Sequence, residues 1–293
     1  MKGKYSMNNL TNLGYIKELL GRHNFNFSKG LGQNFLVNPS VCPKIAEMGN
    51  AKKGFGIIEV GTGIGTLTAE LASRADKVVA VEIDQRLLPV LEETLADFNN
   101  IKVINEDIMN VDICKLISEE FDGMDVAVCA NLPYYITSPV IMHFLESGAP
   151  VKSLTVMVQK EAAERLCAEP GTRQSGAISV AVRYYGDAKT LFSVSRGSFI
   201  PAPNVDSAVI RIDVNKKYSL EPEDEKFFFS VVKSAFSQRR KTLANSLSSM
   251  LSFTKQDIYA ALAETGFSEN TRVEQLDMES LMNFSLNLKK YIH

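Results

Sequence analysis

Short apolar segments alternate with helical segments through the middle of this chain, and this alternation restricts its fold more than any other feature. Residues 56–60 and 77–82 are apolar runs of strand length. Helical periodicity follows each of them, at 66–73 and 84–98. The other predicted strands are 101–105, 126–130, 153–158 and 207–214. Because alternating strands and helices form a parallel, doubly wound sheet, the sequence predicts an α/β fold whose ligands bind at the carboxyl ends of the strands.

The C-terminal part of the chain has a different pattern, which predicts a second domain. Residues 215–225 are polar and include one proline, so we expect them to form a linker. Beyond them, apolar residues recur only at helical spacing. The predicted organisation is an N-terminal helical extension (1–28), an α/β domain (29–214), the linker and a small all-helical domain (226–293).

A glycine-rich turn follows the first strand of the α/β domain. Gly61, Gly63 and Gly65 lie between that strand and the next helix, where glycine lets the backbone turn sharply and approach a ligand closely. The dinucleotide-binding pattern GxGxxG would place its third glycine at position 66, which is threonine here. The turn therefore predicts a cofactor site without deciding which cofactor binds.

Three acidic residues at strand ends refine this prediction. Glu59 precedes the glycine turn, Glu82 ends the second strand and Asp107 follows the third. Glu82 is placed to accept hydrogen bonds from ribose hydroxyls, and Asp107 is placed to accept one from an adenine amino group. A ribose contact fits NAD and S-adenosylmethionine alike. An acidic site favours a cationic sulfonium over a diphosphate, which prefers cations and backbone amides.

The segment Asn131-Leu132-Pro133-Tyr134 follows the apolar strand 126–130 and indicates the substrate. The amide oxygen of Asn131 and the main-chain carbonyl of Leu132 can accept the two N–H groups of an exocyclic amine. The proline fixes that carbonyl, and the Tyr134 ring can stack on the base. If the methyl group is already activated, catalysis consists of positioning and electrostatic complementarity, without a metal or a strong base.

With several other motifs, this segment resembles the small-subunit ribosomal RNA adenine dimethyltransferases, which are related to the erythromycin-resistance rRNA methylases. The resemblance extends over about residues 29–247. Its motifs, in order, are Leu31-Gly32-Gln33-Asn34-Phe35-Leu36, the glycine turn, Asn131-Leu132-Pro133-Tyr134, Gln159-Lys160-Glu161, Phe199-Ile200-Pro201-Ala202-Pro203-Asn204-Val205-Asp206-Ser207 and Phe236-Ser237-Gln238-Arg239-Arg240-Lys241-Thr242. The resemblance implies a Rossmann-like, S-adenosylmethionine-dependent methyltransferase domain with a mostly parallel seven-stranded sheet, followed by a small C-terminal all-helical domain.

The activity implied by this resemblance is dimethylation of RNA. Two methyl groups pass from S-adenosylmethionine to N6 of each of two adjacent adenines, in a hairpin loop near the 3′ end of small-subunit rRNA. The expected partner is small-subunit rRNA in the pre-30S subunit, during ribosome biogenesis.

The resemblance also implies roles for individual residues. Gln33 is expected to help close the site, and Phe199 is expected to meet the adenine opposite Tyr134. The residues expected to line the cofactor are Asn34, Leu36, Gly61, Glu82, Asp107 and Asn131. The residue pattern alone adds Gly63 of the glycine turn and Glu59, which precedes it. Thr62 stands where many members of the family have proline, which we expect only to loosen the turn.

The distribution of charge supports a nucleic-acid partner, although the formal net charge is −2. Residues 226–256 contain six cations and no carboxylate, in a chain with 34 acidic residues. By the resemblance, Arg239, Arg240 and Lys241 are expected to contact RNA phosphates. Lys233 lies in the same cationic stretch and is assigned to the same RNA-binding surface.

The remaining sequence features predict a cytoplasmic monomer that needs neither membrane nor metal. No apolar run approaches the roughly 18 residues that span a bilayer, and the N-terminus leads into no signal-peptide core. The four cysteines are widely spaced, which favours reduced thiols. The three histidines lack the spacing of metal ligands.

Other interpretations stay open from the residues alone. An NAD-dependent oxidoreductase would share the glycine turn but lacks the third glycine of its motif. Large-subunit methylases that confer macrolide resistance typically have isoleucine at the position of Leu132, and DNA adenine methyltransferases more often have proline there. A non-catalytic ribosome assembly factor would not require the intact segment 131–134.

Overall fold

The structure, a computed structural model, describes residues 10–25 and 32–292. Its strands are β1 (Phe35–Leu36), β2 (Phe55–Val60), β3 (Lys77–Glu82), β4 (Ile101–Asn105), β5 (Asp125–Asn131), β6 (Val151–Gln159), β7 (Gly186–Val194), β8 (Phe199–Ile200) and β9 (Ser207–Val214). Its helices are α1 (Leu13–Arg22), α2 (Val41–Met48), α3 (Thr66–Ala72), α4 (Leu88–Thr94), α5 (Ile113–Glu120), α6 (Thr137–Glu146), α7 (Lys160–Leu166), α8 (Ala177–Tyr185), α9 (Pro222–Ser237), α10 (Leu243–Met250), α11 (Lys255–Glu264) and α12 (Met278–Lys289). None of the helices in the described ranges has both the length and the apolar character that a membrane span requires.

A seven-stranded sheet with the order β4-β3-β2-β5-β6-β9-β7 is the centre of the α/β fold. The strand pairings from β4 through to β6 are all parallel, and β9 runs antiparallel to β6. The mostly parallel seven-stranded sheet of the prediction is therefore confirmed. Such a sheet needs helices on both faces, which explains why its inner strands are mostly apolar.

The register of the central strands determines which residues meet at the carboxyl edge. Val60, the last residue of β2, is paired with Val81 of β3 on one side and with Ala130 of β5 on the other. The three strands therefore end at the same level. The glycine turn, Glu82 and Asn131 follow from these ends, so the sheet brings three separate sequence motifs to one place.

The N-terminal helix α1 is packed into the α/β fold. Its buried residues Ile16 and Leu19 belong to one hydrophobic cluster with Leu91 of α4. Asn12 caps the helix by accepting a hydrogen bond from the main chain of Tyr15, at 3.1 Å. Of the predicted N-terminal extension, residues 1–9 and 26–28 lie outside the described residues, as do Lys29, Gly30 and Leu31 of the following loop.

Some elements of the α/β fold differ from the prediction in extent or were not predicted. The helix expected at 84–98 is limited to α4, after a 3-10 turn at Gln85–Leu87 that Asp84 caps. The strand β7 and the two-stranded sheet of β1 and β8 were absent from the residue-by-residue prediction. β1 and β8 have two residues each, which is too short for periodicity to be visible in sequence.

The contacts divide the chain into two compact units. One contains Met1–Ala163 and Lys189–Val214, and the other contains Glu164–Ala188 and Asn215–His293. The sequence-based division assigned 164–188 to the α/β domain, whereas the structure groups this segment with the C-terminal helices.

Aromatic packing explains this grouping. Tyr184 of α8 is fully buried and contacts the rings of Phe228 and Phe229 of α9, with ring centroids 5.9 and 5.2 Å away. Its hydroxyl donates a hydrogen bond to Glu225 at 2.9 Å. The large apolar area of these rings makes a strong contribution to the core of the second unit.

Helix α9 begins inside the predicted linker. Pro222 occupies its first turn, and Glu223, Asp224 and Glu225 follow in the same turn. Proline is well suited to this position, and acidic side chains interact favourably with the positive end of the helix dipole. Polarity and proline, which indicated a linker, are also features of a helix N-terminus.

Candidate active site

A cavity of about 260 Å³ opens at the carboxyl edge of the sheet, within the first unit. It is lined by all the predicted catalytic and cofactor residues: Gln33, Asn34, Leu36, Glu59, Gly61, Gly63, Glu82, Asp107, Asn131, Leu132, Pro133, Tyr134 and Phe199. The structure therefore brings together residues that are spread over more than half of the sequence.

The glycine turn forms one wall of this cavity. Gly61 and Gly63 have φ values of +75° and +56°, in the left-handed region that non-glycine residues rarely adopt. A Cβ atom at position 63 would be in van der Waals contact with the ring of Phe35, at 3.4 Å, so the backbone conformation rather than lack of space favours glycine here. The N–H of Gly61 donates to the carbonyl of Val81 at 2.9 Å, which connects the turn to β3.

Glu82 holds the glycine turn in place. Its Oε2 accepts hydrogen bonds from the main chain of Thr62 (2.9 Å), the hydroxyl of Thr62 (2.9 Å) and the main chain of Gly63 (3.3 Å). Its Oε1 accepts one from the main chain of Asp84, at 2.9 Å. A carboxylate has about four lone-pair positions, so Oε1 is the oxygen with capacity left for a ribose hydroxyl. Burial raises the pKa of Glu82, and these donors act in the opposite direction.

Thr62 contributes to this network, which corrects an expectation from the sequence. A proline at this position would have no N–H, whereas Thr62 gives Glu82 both its N–H and its hydroxyl. The expectation that Thr62 only loosens the turn is therefore wrong, because the residue ties the turn to β3.

A second network at the mouth of the cavity was not predicted. The side-chain amide of Gln33 donates to Asp84 at 2.8 Å, and Arg86 donates to the same carboxylate through Nε (2.8 Å) and Nη2 (2.7 Å). The Arg86 guanidinium holds the pKa of Asp84 below its usual range. Gln33, expected to help close the site, is thus bound to the segment that follows Glu82. The only signal for Asp84 in the sequence is its position two residues after Glu82.

Asp107 and Asn34 line the cavity on loops. Asp107 caps a 3-10 turn at Ile108–Asn110, and its Oδ1 accepts a hydrogen bond from the main chain of Met109 at 2.9 Å. The side-chain amide of Asn34 donates to the carbonyl of Gly32 at 3.0 Å. These bonds fix where each side chain can face a ligand, and the ligand contacts themselves stay predictions.

The segment from Asn131 to Tyr134 lines the cavity beside the glycine turn, where a Cβ atom at Gly61 would lie 3.9 Å from the carbonyl oxygen of Asn131. Asn131 is the last residue of β5, and Leu132 is buried behind it. The Tyr134 hydroxyl forms a hydrogen bond with Ser207 at 2.8 Å, which restricts the rotation of the ring. Partial burial raises the pKa of Tyr134, so its hydroxyl stays protonated.

Phe199 is both a cavity residue and a core residue. It begins β8, where it is paired with Leu36 of β1, and it belongs to the same hydrophobic cluster as Leu36 and Met157. It also lines the cavity. A place in the core is therefore compatible with the predicted contact between Phe199 and the adenine.

Glu59 differs from the other acidic residues of the site because no cation among the described residues neutralises it. It is 0% exposed. Among the described residues, neither of its carboxylate oxygens has a hydrogen-bond partner. Burial raises its pKa to about 8. The Thr68 hydroxyl acts against this shift, and the charge on Glu82 adds a smaller amount to it.

In the second unit, the predicted RNA-binding residues separate into two groups. Arg239 and Arg240 line a second cavity together with Arg173, Arg272 and Glu274. Arg239 donates a hydrogen bond through Nη2 to the carbonyl of Arg173 at 2.7 Å, while its Nε has no partner among the described residues. We call Arg173, Arg239, Arg240 and Arg272 the arginine cluster.

The other two predicted cations, Lys233 and Lys241, are exposed and do not line this second cavity. Arg173 and Arg272 were missed because each is isolated in sequence, in a turn-rich loop and before a 3-10 turn respectively. Their proximity to Arg239 is visible only in the structure.

Comparison with known families identifies the group to which the chain belongs. A sequence model of the family described as ribosomal RNA adenine dimethylase matches residues 24–290. The chain belongs to this family. It is therefore an enzyme of the ribosomal RNA adenine dimethylase family, as the motifs had indicated.

Relatives named ribosomal RNA small subunit methyltransferase A match almost the whole length of this chain. The protein of Geobacillus sp. (strain WCH70) is 48% identical over 276 residues, which are 93% of this chain and 95% of the relative. That of Alkaliphilus oremlandii is 49% identical over 275 residues, or 94% and 96% of the two chains. That of Clostridioides difficile is 46% identical over 285 residues, or 97% and 99%.

Two solved structures of rRNA methyltransferase and dimethyladenosine transferase enzymes have the same fold as this chain. The 23S rRNA methyltransferase ErmE is 27% identical with a TM-score of 0.66, and covers 87% of this chain and 100% of its own. A dimethyladenosine transferase from Plasmodium falciparum is 25% identical with a TM-score of 0.72, and covers 87% and 97%. These comparisons support the adenine dimethylase interpretation over the oxidoreductase and the non-catalytic alternatives.

Proposed function

We propose that this protein transfers methyl groups from S-adenosylmethionine to N6 of two adjacent adenines, in the hairpin loop near the 3′ end of small-subunit rRNA. The observation that carries the proposal is that the segment 131–134 and the glycine turn line one cavity. An amine-binding loop and a cofactor-binding turn are thereby within reach of each other. The names of the sequence relatives support the small subunit as the source of the RNA.

The residues of the cavity fit S-adenosylmethionine. Gly61 and Gly63 have no side chain to keep a ligand away from the backbone of the turn, and Oε1 of Glu82 has capacity for a ribose hydroxyl. The buried, unpaired carboxyl of Glu59 suits a cationic ligand and would disfavour a diphosphate. When bound, S-adenosylmethionine supplies a methyl group that its sulfonium charge has already activated.

The chain then has to hold the adenine amino group in line with that methyl group. The side-chain oxygen of Asn131 and the main-chain carbonyl of Leu132 accept the two N–H groups and favour the pyramidal, more nucleophilic form of the nitrogen. Pro133 limits the movement of this carbonyl. Catalysis rests on positioning and on electrostatic complementarity, and requires no metal.

Aromatic side chains retain the adenine outside its RNA. Stacking of a base on Tyr134 is worth roughly 1–3 kcal/mol, which is comparable with the few kcal/mol needed to unstack a base. The hydrogen bond from Tyr134 to Ser207 orients the ring before the base arrives. Phe199, on the same cavity, is the second aromatic contact that we propose.

The arginine cluster of the second unit binds RNA phosphates in this proposal. Four guanidinium groups with one carboxylate, Glu274, leave an excess of positive charge on this surface. Lys233 and Lys241 add exposed cations in the same unit. Arg suits phosphate because its planar donors match two oxygens at once.

The protein acts as a cytoplasmic monomer on the pre-30S subunit.

Mapping of modified bases tests this function. The purified protein is incubated with S-adenosylmethionine and with unmethylated small subunits or, separately, large subunits, and the rRNA is analysed by mass spectrometry. We expect two adjacent N6-dimethyladenines near the 3′ end of the small-subunit rRNA and none in the large-subunit rRNA. Methylation of the large subunit alone would favour a resistance methylase, an alternative that the likeness to ErmE keeps relevant.

A further inference from the structure

Glu59 is a buried carboxyl of the first cavity that suits a cationic ligand and takes no part in holding the adenine. Glu82 has four hydrogen-bond donors, while neither oxygen of Glu59 has a partner among the described residues. Glu59 nevertheless lines the cavity and is fully buried. An ionised carboxylate in this position would be strongly unfavourable without a counter-charge.

The groups that face Glu59 do not provide that counter-charge. From α2 and β5 it meets the thiols of Cys42 and Cys129, and from α3 the hydroxyl of Thr68. From β3 it meets the negative charge of Glu82. Burial and the charge of Glu59 raise the pKa of both thiols well above their usual range, so they stay neutral.

The other nearby charges act on the two thiols. Glu70 affects Cys42, and Arg211 affects Cys129. Desolvation therefore dominates at Glu59 and outweighs the opposing effect of the Thr68 hydroxyl, so the pKa is raised to about 8, with a smaller contribution from the charge of Glu82 in the same direction. At neutral pH the carboxyl of the ligand-free protein is mostly neutral.

We propose that Glu59 distinguishes the cationic methyl donor from its uncharged-sulfur product, because its carboxyl is protonated in the ligand-free protein and ionises when the sulfonium cation enters. This inference rests on the proposed function, since it requires S-adenosylmethionine as the ligand. It adds a specificity-determining residue to that function, and it couples binding of the donor to release of a proton.

The protons balance over one cycle. On binding of the donor, Glu59 loses its proton to solvent, and its negative charge offsets the positive charge of the sulfonium. On methyl transfer, an N6–carbon bond forms and a sulfur–carbon bond breaks, the sulfur becomes a neutral thioether and the adenine nitrogen loses one proton. Glu59 then takes up a proton from solvent, so the product is held without the charge interaction. The net result is one proton released for each methyl group transferred.

This coupling has a defined sign with pH. Below the raised pKa, the ionised fraction of Glu59 grows about tenfold for each pH unit. Affinity for S-adenosylmethionine should therefore rise about tenfold between pH 6 and pH 7. Affinity for S-adenosylhomocysteine, which has the same α-amino and carboxyl groups but a neutral sulfur, should hardly change.

Titration calorimetry of the full-length protein tests the proposal. Each ligand is titrated near pH 7 in phosphate and in Tris, whose ionisation enthalpies differ, so the number of protons released is measured directly. We expect S-adenosylmethionine to release close to one proton more than S-adenosylhomocysteine. We expect Glu59→Gln to abolish this difference and to reduce the preference for S-adenosylmethionine about tenfold. Glu106→Gln, which removes an exposed carboxylate from the same cavity, is the matched control and should retain the difference.

Three results would contradict the inference. Equal proton release with both ligands would overturn it, and this arm needs only the wild-type protein. Persistence of the difference in Glu59→Gln would show that another group supplies the proton. If neither ligand binds, the proposed function itself is overturned. This outcome is therefore distinct from the other two.

Discussion

Single residues of the first cavity have roles that mutation can separate. The Tyr134 ring is the proposed stacking surface, while its hydroxyl contacts Ser207 at 2.8 Å. Ring and hydroxyl can therefore be removed one at a time.

We expect Tyr134→Ala to lower methyl transfer by a factor of about 5 to 150, since loss of stacking is worth roughly 1–3 kcal/mol. Affinity for S-adenosylmethionine should change little, because the cofactor is held by the glycine turn and the strand ends. Single-turnover rates and equilibrium binding measure the two quantities. Tyr134→Phe is the control and should retain most of the rate; a parallel loss of cofactor affinity in Tyr134→Ala would argue against stacking.

Glu59 also gives a prediction about stability. Its pKa is about 8 in the folded protein, against a reference value of 4.5. Because the pKa of Glu59 is higher in the folded protein than in the unfolded chain, its protonation favours the folded state. This contribution to the free energy of unfolding is complete below pH 4.5 and is lost as the pH rises towards 8. By pH 7 the loss amounts to about 3 kcal/mol.

Glu59→Gln should therefore make the ligand-free protein more stable at pH 7 than the wild type, with a smaller difference near pH 5. Urea denaturation at both pH values measures this. If the free energies of unfolding of the wild type and of Glu59→Gln change equally between the two pH values, Glu59 has an ordinary pKa.

At the scale of elements, the sequence predicted the strands that carry the site better than those at the sheet margin. β2, β3 and β5 are apolar runs that end in recognisable motifs. The sequence therefore predicted both where these strands lie and which site residues follow them. The short strands β1 and β8 exist because Leu36 and Phe199 are brought together by tertiary contacts. No local pattern of residues encodes such a pairing.

The same distinction applies to the site. Gly61, Glu82 and Asn131 were predictable, because parallel strands place their ends together. Asp84 and the hydroxyl of Thr62 were not, because their importance comes from hydrogen bonds to partners up to 51 residues distant in sequence. The division of the chain was also missed in part, since the packing of Tyr184 on α9 assigns α8 to the second unit.

The start of β2 tests how tightly the central strand is packed. A Cβ atom at Gly56 would lie 2.0 Å from the ring of Phe121, which is fully buried. We expect Gly56→Ala to reduce the free energy of unfolding by about 1–3 kcal/mol, as overpacking does. Chemical denaturation measures the change.

Gly21→Ala is the matched control for this substitution. No atom lies within 4 Å of its added Cβ, and the residue is helical. Alanine should stabilise the helix here by about 0.5–1 kcal/mol. Equal effects of the two substitutions would show that the contact with Phe121 is not what limits position 56.

At the scale of the whole molecule, the two kinds of chemistry belong to different units. The cavity with the glycine turn is built from the first unit, and the arginine cluster is built from the second. The net charge of −2 conceals this distribution. Affinity for RNA should therefore depend on local positive charge and fall with salt concentration.

Replacing Arg173 and Arg272 by Gln should weaken binding to small-subunit rRNA and flatten its dependence on salt. The slope should change by about 0.7–0.9 for each phosphate that is no longer neutralised. Filter binding at several salt concentrations gives the slope, and calorimetry with S-adenosylmethionine should show unchanged cofactor affinity. Lys115→Gln with Lys152→Gln removes two exposed cations of the first unit as a control. An unaltered slope in the arginine variant would place the RNA on another surface.

The hydrogen bonds between Glu82 and the glycine turn have a consequence for how the enzyme binds its cofactor. Because Thr62, Gly63 and Asp84 already donate to this carboxylate, the turn has its shape before any ligand arrives. The entropy of ordering the loop is lost when the chain folds and not at each turnover. The cradle is preorganised, so replacement of a spent cofactor by a fresh one requires little rearrangement of this wall.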